Sequence, residues 1–344
     1  MSLPIENFTG DGADWDAYVA TAPQASNYHQ YRWKKVIEES FGHRTFYLAA
    51  KEDSGRICGV LPLVFMKSAL FGKFFVSLPF FNYGGLLVDN DQVADSLLHE
   101  AQCLVRKYSA EYLELRHVDY TKEGLAGKEH KVTMILELSP DSDSQWHAFN
   151  AKLRNQIRKA EKSGLTVKIG GLELLDGFYE VFARNMRDLG TPVYGKSFFK
   201  NVLTLFPESS RILAVFHKES VVAAGIISWF RDTVEMPWAS SNRDYKAFCP
   251  NNLLYWEAIR FAIDKGFKKF DFGRSTPNEG TFKFKQQWGA EPVQLHWQYL
   301  LGAGQAAPEL NPKNPKFQLA IRAWKNLPLS VSRFLGPHIV RNIP

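Results

Sequence analysis

The sequence predicts an α/β protein made of two tandem units, each a mixed sheet flanked by helices, followed by a helical tail. Three observations predict it. Short apolar segments, broken by charged or glycine-containing turns, alternate with longer stretches of helical periodicity, in the same order in each half. Two landmarks recur at one offset. Glu100–Ala101 returns as Glu257–Ala258, and Leu113–Glu114–Leu115 returns as Phe270–Asp271–Phe272, each 157 residues later. The 344 residues are 45% hydrophobic and 23% charged, enough for about two globular cores.

Taken in order, residues 14–41 are helical in their later part, with Trp33, Val36 and Ile37 on one face. Residues 44–50, a charged turn at 51–56 and residues 57–65 read as strand, turn, strand. Residues 74–78 and 85–88 add strands. Residues 91–108 form a helix with Val93, Leu97, Leu98, Ala101, Leu104 and Val105 inward, and 112–115 and 132–138 are further strands. The most apolar stretch, 60–81, is interrupted by Pro62, Lys67, Gly72, Lys73 and Pro79, which excludes an unbroken membrane helix. A polar break at 140–144 carries helix-capping chemistry. It divides a first domain, 1–140, from a second, 141–303. One basic helix is expected over 146–163, ending at Gly164. Strand, turn and strand recur over 211–230, followed by a strand at 233–239. A helix over 251–265, capped by Asn251 or Asn252, leads to the strand 269–272. Residues 302–308 are a linker by composition, and 304–344 are a basic amphipathic tail.

The net charge of +6 and pI of about 9.0 favour anionic partners. Cys58, Cys103 and Cys249 show neither metal spacing nor a disulfide framework, and the N-terminus lacks a signal-peptide pattern, so a cytoplasmic protein is expected. His29, His43, His117 and His130 are scattered, and no Gly-x-Ser-x-Gly elbow occurs. Hydrolase and metalloenzyme readings lack support, and no metal is expected.

The chemistry concentrates at 267–289. A buried strand ends in Gly273–Arg274–Ser275–Thr276, a polar loop at a strand end, where α/β proteins place ligands. Asp271 alternates with Phe270 and Phe272 and so faces away from both, as a base or as a hydrogen-bonded structural acid. Lys285, next to Phe284, either stabilises an oxyanion or sits on the surface. Arg154, Arg158 and Lys162 share a helix face with Lys159 beside them: a phosphate-binding stripe or a solvated face. Residues 243–252 lack P-loop glycines, yet the helix start at Asn251 and Asn252 suits an anion. Tyr83–Gly84–Gly85 permits close backbone approach to a ligand.

Residues 153–164, with Phe270–Asp271–Phe272–Gly273–Arg274–Ser275 and Phe284–Lys285–Gln286–Gln287–Trp288–Gly289, resemble FemAB-like proteins, which include peptidoglycan interpeptide-bridge aminoacyltransferases. Gly42–His43–Arg44, Tyr47–Leu48–Ala49, residues 59–63, Leu70–Phe71–Gly72 and Tyr83–Gly84–Gly85 are similar to FemAB-related proteins of exosortase (PEP-CTERM) and exopolysaccharide systems. The resemblance runs from about residue 15 to residue 299. It implies two tandem GNAT-like (acyl-CoA N-acyltransferase) domains, the second carrying the active site. It also implies direct transfer of an aminoacyl or acyl group to an amine of a cell-envelope precursor, peptidoglycan or exopolysaccharide. The donor would be aminoacyl-tRNA or acyl-CoA, with no tightly bound cofactor. Lys285 takes the place of the lysine that stabilises charge on the reacting carbonyl, and Asp271 is one candidate base. Arg274 and Ser275 would fix polar groups of the substrates. Arg154, Arg158 and Lys159 would meet phosphates, and Lys35 in Trp33–Lys34–Lys35 would hold precursor phosphates. Tyr83, Asn251 and Asn252 complete the candidate binding residues. Two departures stand out. There is no room for the long coiled-coil insertion of some bridge enzymes, and residues 245–252 lack the glycines of a coenzyme A pyrophosphate loop. A non-catalytic assembly protein of polysaccharide export, with its tail at the inner membrane face, is the alternative.

Overall fold

The structure, a computed structural model, describes residues 3–68, 72–118, 120–302, 304–305 and 315–343, without the side chains of 315–317. Leu70 and Phe71 of the N-terminal motif, and residues 303 and 306–308 of the linker, lie outside the described residues. The chain forms two units: Met1–Val132, Val293–Leu310 and Arg341–Pro344 make the first, Thr133–Pro292 and Asn311–Val340 the second. The polar break at 140–144 lies within the second unit, after its first strand.

In the first unit the chain runs β1 (Ile5–Asn7), α1 (Ala13–Thr21), α2 (Arg32–Phe41), β2 (Arg44–Lys51), β3 (Ile57–Ser68), β4 (Gly72–Val76), β5 (Leu87–Val88), α3 (Asp91–Lys107), β6 (Tyr112–Val118) and β7 (Ala126–Lys128). β2 and β3 form an antiparallel hairpin from Arg44↔Phe65 to Ala50↔Gly59, and β4 lies parallel to β6 at Phe75↔Leu113 and Val76↔Glu114. Leu97, Leu98, Ala101 and Val105 of α3 pack on Leu61, Leu63, Phe75 and Leu113. The helix approaches the sheet closely over Gly59, where a Cβ would meet Val93 at 2.4 Å.

The second unit takes up the chain at β8 (Val132–Glu137) and continues through α4 (Ser142–Ala148), α5 (Ala151–Lys162), β9 (Leu165–Gly170), α6 (Leu175–Leu189), α7 (Lys196–Leu205), β10 (Ser210–His217), β11 (Ser220–Phe230), β12 (Thr233–Ser241), α8 (Pro250–Asp264), β13 (Lys269–Ser275) and α9 (Gly280–Gln286). Its strands lie in the order β8-β13-β12-β11-β10-β9. β14 (Glu291–Leu301) then joins the sheet of the first unit, antiparallel to β6 from Leu295↔Val118 to Leu301↔Tyr112. The tail forms α10 (Pro315–Lys325) and α11 (Leu329–Val340) in the second unit.

The expected duplication is present. β2-β3-β4-α3-β6 and β10-β11-β12-α8-β13 follow one order. The third strand of each series pairs in parallel with the strand after the helix, at Val76↔Glu114 and at Glu235↔Asp271, while the first unit inserts the short β5 before α3.

Two local expectations are corrected. The basic helix is two helices, because Asn150 ends the first path and caps the second: its Oδ1 accepts from Leu153 N at 2.9 Å. Asn150 also donates to Gln287 O at 3.2 Å. Replacing it with Ala should cost about 1 kcal/mol, read as a lowered urea midpoint at unchanged slope. Nor do Asn251 and Asn252 cap α8. Cys249 is the N-cap residue, at φ 55, and makes no side-chain cap, while Pro250 with its fixed φ opens the helix.

Candidate active site

β12 and β13 pair at only three positions, Thr233↔Lys269, Val234↔Phe270 and Glu235↔Asp271. β12 continues against β11 as far as Ser241↔Ala223, and β13 continues to Ser275. The two strands therefore part beyond Glu235 and Asp271, and the acids stand at the apex of the fork.

Strand alternation sorts the side chains there. Phe272 stacks on Tyr255 of α8 at 5.3 Å, and Phe284 and Trp288 close the same aromatic cluster. Asp271 points to the other face, as expected. Its Oδ1 accepts from Thr133 Oγ1 at 2.6 Å and from Gly273 N at 2.7 Å. Lys285 is not a surface residue: it is 7% exposed, and its Nζ donates to Gly273 O at 2.7 Å and to Arg274 O at 2.9 Å. Successive carbonyls of a regular strand point to opposite sides. Here one ammonium reaches both, because Gly273 adopts φ 74, a left-handed conformation that glycine takes without strain. The Gly-Arg loop and the lysine-bearing helix are thus one construction.

Electrostatics follow from burial. Desolvation pushes the Asp271 carboxyl up to about 7, against the opposing pull of the Gly273 amide and the Lys285 charge. Desolvation also pushes the Lys285 ammonium down to about 8, against the attraction of Asp271 and Glu235, with Arg274 adding to the fall. A carboxylate titrating near neutrality can accept a proton, and a desolvated ammonium can hold developing negative charge. Sequence reasoning missed Thr133 and Glu235. The signal for Glu235 is a lone acid among Val234, Met236 and Trp238; it is 5% exposed. Thr133 carries no such signal, since its role depends on β8 lying beside β13.

Ser275 is 4% exposed, and its Oγ is buried without a hydrogen-bond partner. Arg274 is exposed. Asn252 donates to Gln156 Oε1 at 3.2 Å, which ties α8 to α5. On α5, Arg158 is exposed and lies over the Trp146 ring at 5.3 Å, Lys159 is exposed, and the buried Arg154 Nε has no partner. Lys35 and Tyr83 belong to the first unit. Lys35 pairs with Glu39 at 3.7 Å, and buried Tyr83 packs on Tyr28. A cavity of about 540 Å³ in the second unit is lined by Glu180, Arg184, Glu219, Asn242, Asp244 and Tyr245 among others; neither Asp271 nor Lys285 borders it.

The equivalent place in the first unit is filled. Glu114, at the position of Asp271, bonds to Arg116 at 2.7 Å and to Tyr299 Oη at 3.0 Å, and Arg116 donates to Phe81 O at 2.7 Å. Ser77 N donates to Glu114 O and Gly84 N to Arg116 O, so the segment after β4 returns along β6. A satisfied ion pair and returning backbone lie where β12 and β13 part in the second unit.

Residues 147–286 match the model of the acetyltransferase (GNAT) domain family. A crystal structure of FemX superimposes with a TM-score of 0.68 at 17% identity, covering 93% of this chain and 100% of that one. The chain has a FemX-like fold. Two further structures superimpose on this chain. One is a tandem GNAT protein from the clavulanic acid biosynthesis pathway, with a TM-score of 0.56, 13% identity and coverage of 89% and 100%. The other is the C-terminal domain of a protein described as a lysylphosphatidylglycerol synthetase from Agrobacterium fabrum, with a TM-score of 0.58, 10% identity and coverage of 86% and 94%. No curated protein matches the sequence significantly. The resemblance to FemAB-like proteins thus holds at the level of the fold, with two GNAT-like units in tandem. No helix among the described residues is long and apolar enough to cross a membrane.

Proposed function

We propose that the second unit transfers an acyl or aminoacyl group from an ester or thioester donor to an amine of a cell-envelope precursor. The observation that carries this reading is the buried Lys285 ammonium, tied to Gly273 O and Arg274 O at the fork beside Asp271. An ammonium has three N–H donors, and two are committed to those carbonyls. The third would meet the oxygen of the donor carbonyl as the amine attacks. The new C–N bond forms and negative charge gathers on that oxygen. Asp271, raised toward neutrality, takes the proton from the attacking nitrogen. Collapse breaks the C–O bond of an aminoacyl-tRNA or the C–S bond of an acyl-CoA, and the proton passes to the leaving group. Ser275 Oγ, buried and unpartnered, would bond a polar group of the donor.

The uncapped start of α8 suits the donor's phosphates. Arg154, Arg158, Lys159 and Lys35 would meet phosphates of donor or precursor, and Tyr83 would line the acceptor's path. A setting in an exosortase-associated system rests on the N-terminal motifs alone.

Thermal shifts decide the donor. Saturation with coenzyme A or with aminoacyl-tRNA should raise the midpoint by about 5 °C. Ser275→Ala should shrink the shift. A response to coenzyme A alone removes the tRNA version, and no response to either removes the transferase reading.

A further inference from the structure

The tail helices are built inside out. α11 packs on α6 and buries Ser332, Gly336 and Val340, at i, i+4 and i+8. At Gly336 a Cβ would come within 2.9 Å of the Val193 backbone, so the helix is pressed down on its small side. Outside that face, Val331, Phe334, Leu335 and Ile339 are apolar and exposed, with Phe334 at 72% and farthest from the buried side. On α10, Ile321 turns inward against Gly190, while Leu319 is 71% exposed. A surface helix ordinarily buries its apolar stripe and shows water its polar one. Packing on the second unit leaves these side chains in solvent.

Charge points to what covers them. After Glu309 the chain has six cations, Lys313, Lys316, Arg322, Lys325, Arg333 and Arg341, and no acid. The whole net charge of +6 therefore resides beyond Glu309, since the other 36 cations balance 36 acids. Arg333 is paired with Glu180, but Arg322 and Lys325 stand exposed beside Leu319 on α10. A second copy of this chain would bring two such cationic tails together. An anionic surface would complement the charge and, if it is a bilayer, would also receive the apolar stripe.

We propose that α10 and α11 form a peripheral membrane anchor, lying on a bilayer of anionic lipid with Leu319, Phe334 and Leu335 among the upper acyl segments and the cations on the headgroups. Apolar insertion and a polybasic surface are the two signals that stable interfacial binding requires. The inference does not depend on the transferase reading, because lipid binding needs no donor or acceptor.

Flotation of the full chain tests it. Binding is expected to vesicles of phosphatidylethanolamine with phosphatidylglycerol and not to phosphatidylcholine alone, and to weaken as salt is raised. Arg322→Gln with Lys325→Gln should lower partitioning about thirtyfold, from roughly 1 kcal/mol per cation. Phe334→Ser with Leu335→Ser should lower it about tenfold or more. These positions are exposed, so unchanged melting of the variants is expected. Failure of the native chain to float with anionic vesicles would overturn the proposal. So would undiminished flotation of both variants, or a stable dimer in light scattering that Phe334→Ser dissolves, which would assign the stripe to a second copy.

Discussion

Lys285→Met is expected to lower the transfer rate about 10²–10³-fold in single-turnover experiments, with little change in substrate affinity. The ammonium lies away from bulk water, where a single donor aimed at a developing oxyanion is worth most. Met keeps a stem of similar length and removes the charge with its donors. The fold should survive. Two hydrogen bonds to Gly273 O and Arg274 O are lost, but so is a desolvated charge that burial holds down to about 8. The pH profile gives a second readout. With Asp271 titrating near 7 and Lys285 near 8, the native rate should rise and then fall over that narrow window. In the Met variant the descending limb should vanish. A rate within threefold of native would remove Lys285 from the chemistry and leave it as a staple between α9 and the end of β13.

The parts of this site that were legible in the sequence are those written in local pattern. Phe270–Asp271–Phe272 alternates, and strand geometry alone puts the acid opposite the rings. The 157-residue offset aligns Glu114 with Asp271, and the structure places both at the same rung of a parallel pair. What could not be read was in which copy the two strands part. Glu114 and Asp271 look equivalent until Arg116, Phe81 and Tyr299 are seen to satisfy the first. Tyr299 comes from β14, 185 residues further along the chain. Thr133 on β8 was out of reach for the same reason, since pairing across such separations leaves no periodic trace.

Other misses were local and have local causes. The break at Asn150 carries its own signal, an asparagine two residues before the cationic run, masked by the continuous helical composition around it. Pro250 outweighs Asn251 and Asn252 because a proline at the first helical position fixes the start, whereas an asparagine cap is optional. In α6, Leu175, Phe178, Val181 and Phe182 recur at helical spacing and are all buried, a signal present in the sequence although no helix was expected there. The tail shows the limit of such periodicity. Its amphipathic pattern marks a helix, yet which stripe faces the protein is decided by Gly336 and Val193, not by hydrophobicity.

Asp271→Asn should make the protein more stable and less active at once. The asparagine Oδ1 can accept the same bonds from Thr133 Oγ1 and Gly273 N, so geometry is kept. What disappears is ionisation. Burial raises the folded-state pKa from 3.8 to about 7, so between those values the native chain holds a proton that the unfolded chain has released. Stability contributed at this site therefore falls as pH rises through that window, and the full cost, about 4 kcal/mol for about 3 pKa units, is present above pH 7. Lys285 has the opposite slope. Its folded pKa is lowered to about 8, so its cost is fully present below that value and fades as pH climbs toward 10.5. The variant should thus match the native protein near pH 4 and exceed it by about 2–4 kcal/mol near pH 8 in urea denaturation. Part of the gain is offset because Lys285 loses a neighbouring anion. Transfer should fall about 10²-fold, consistent with loss of the base. Equal stability of the two proteins at both pH values would mean that Asp271 is ionised in the native state at little cost. The desolvated carboxyl, and its role as proton acceptor, would then both be lost from the mechanism.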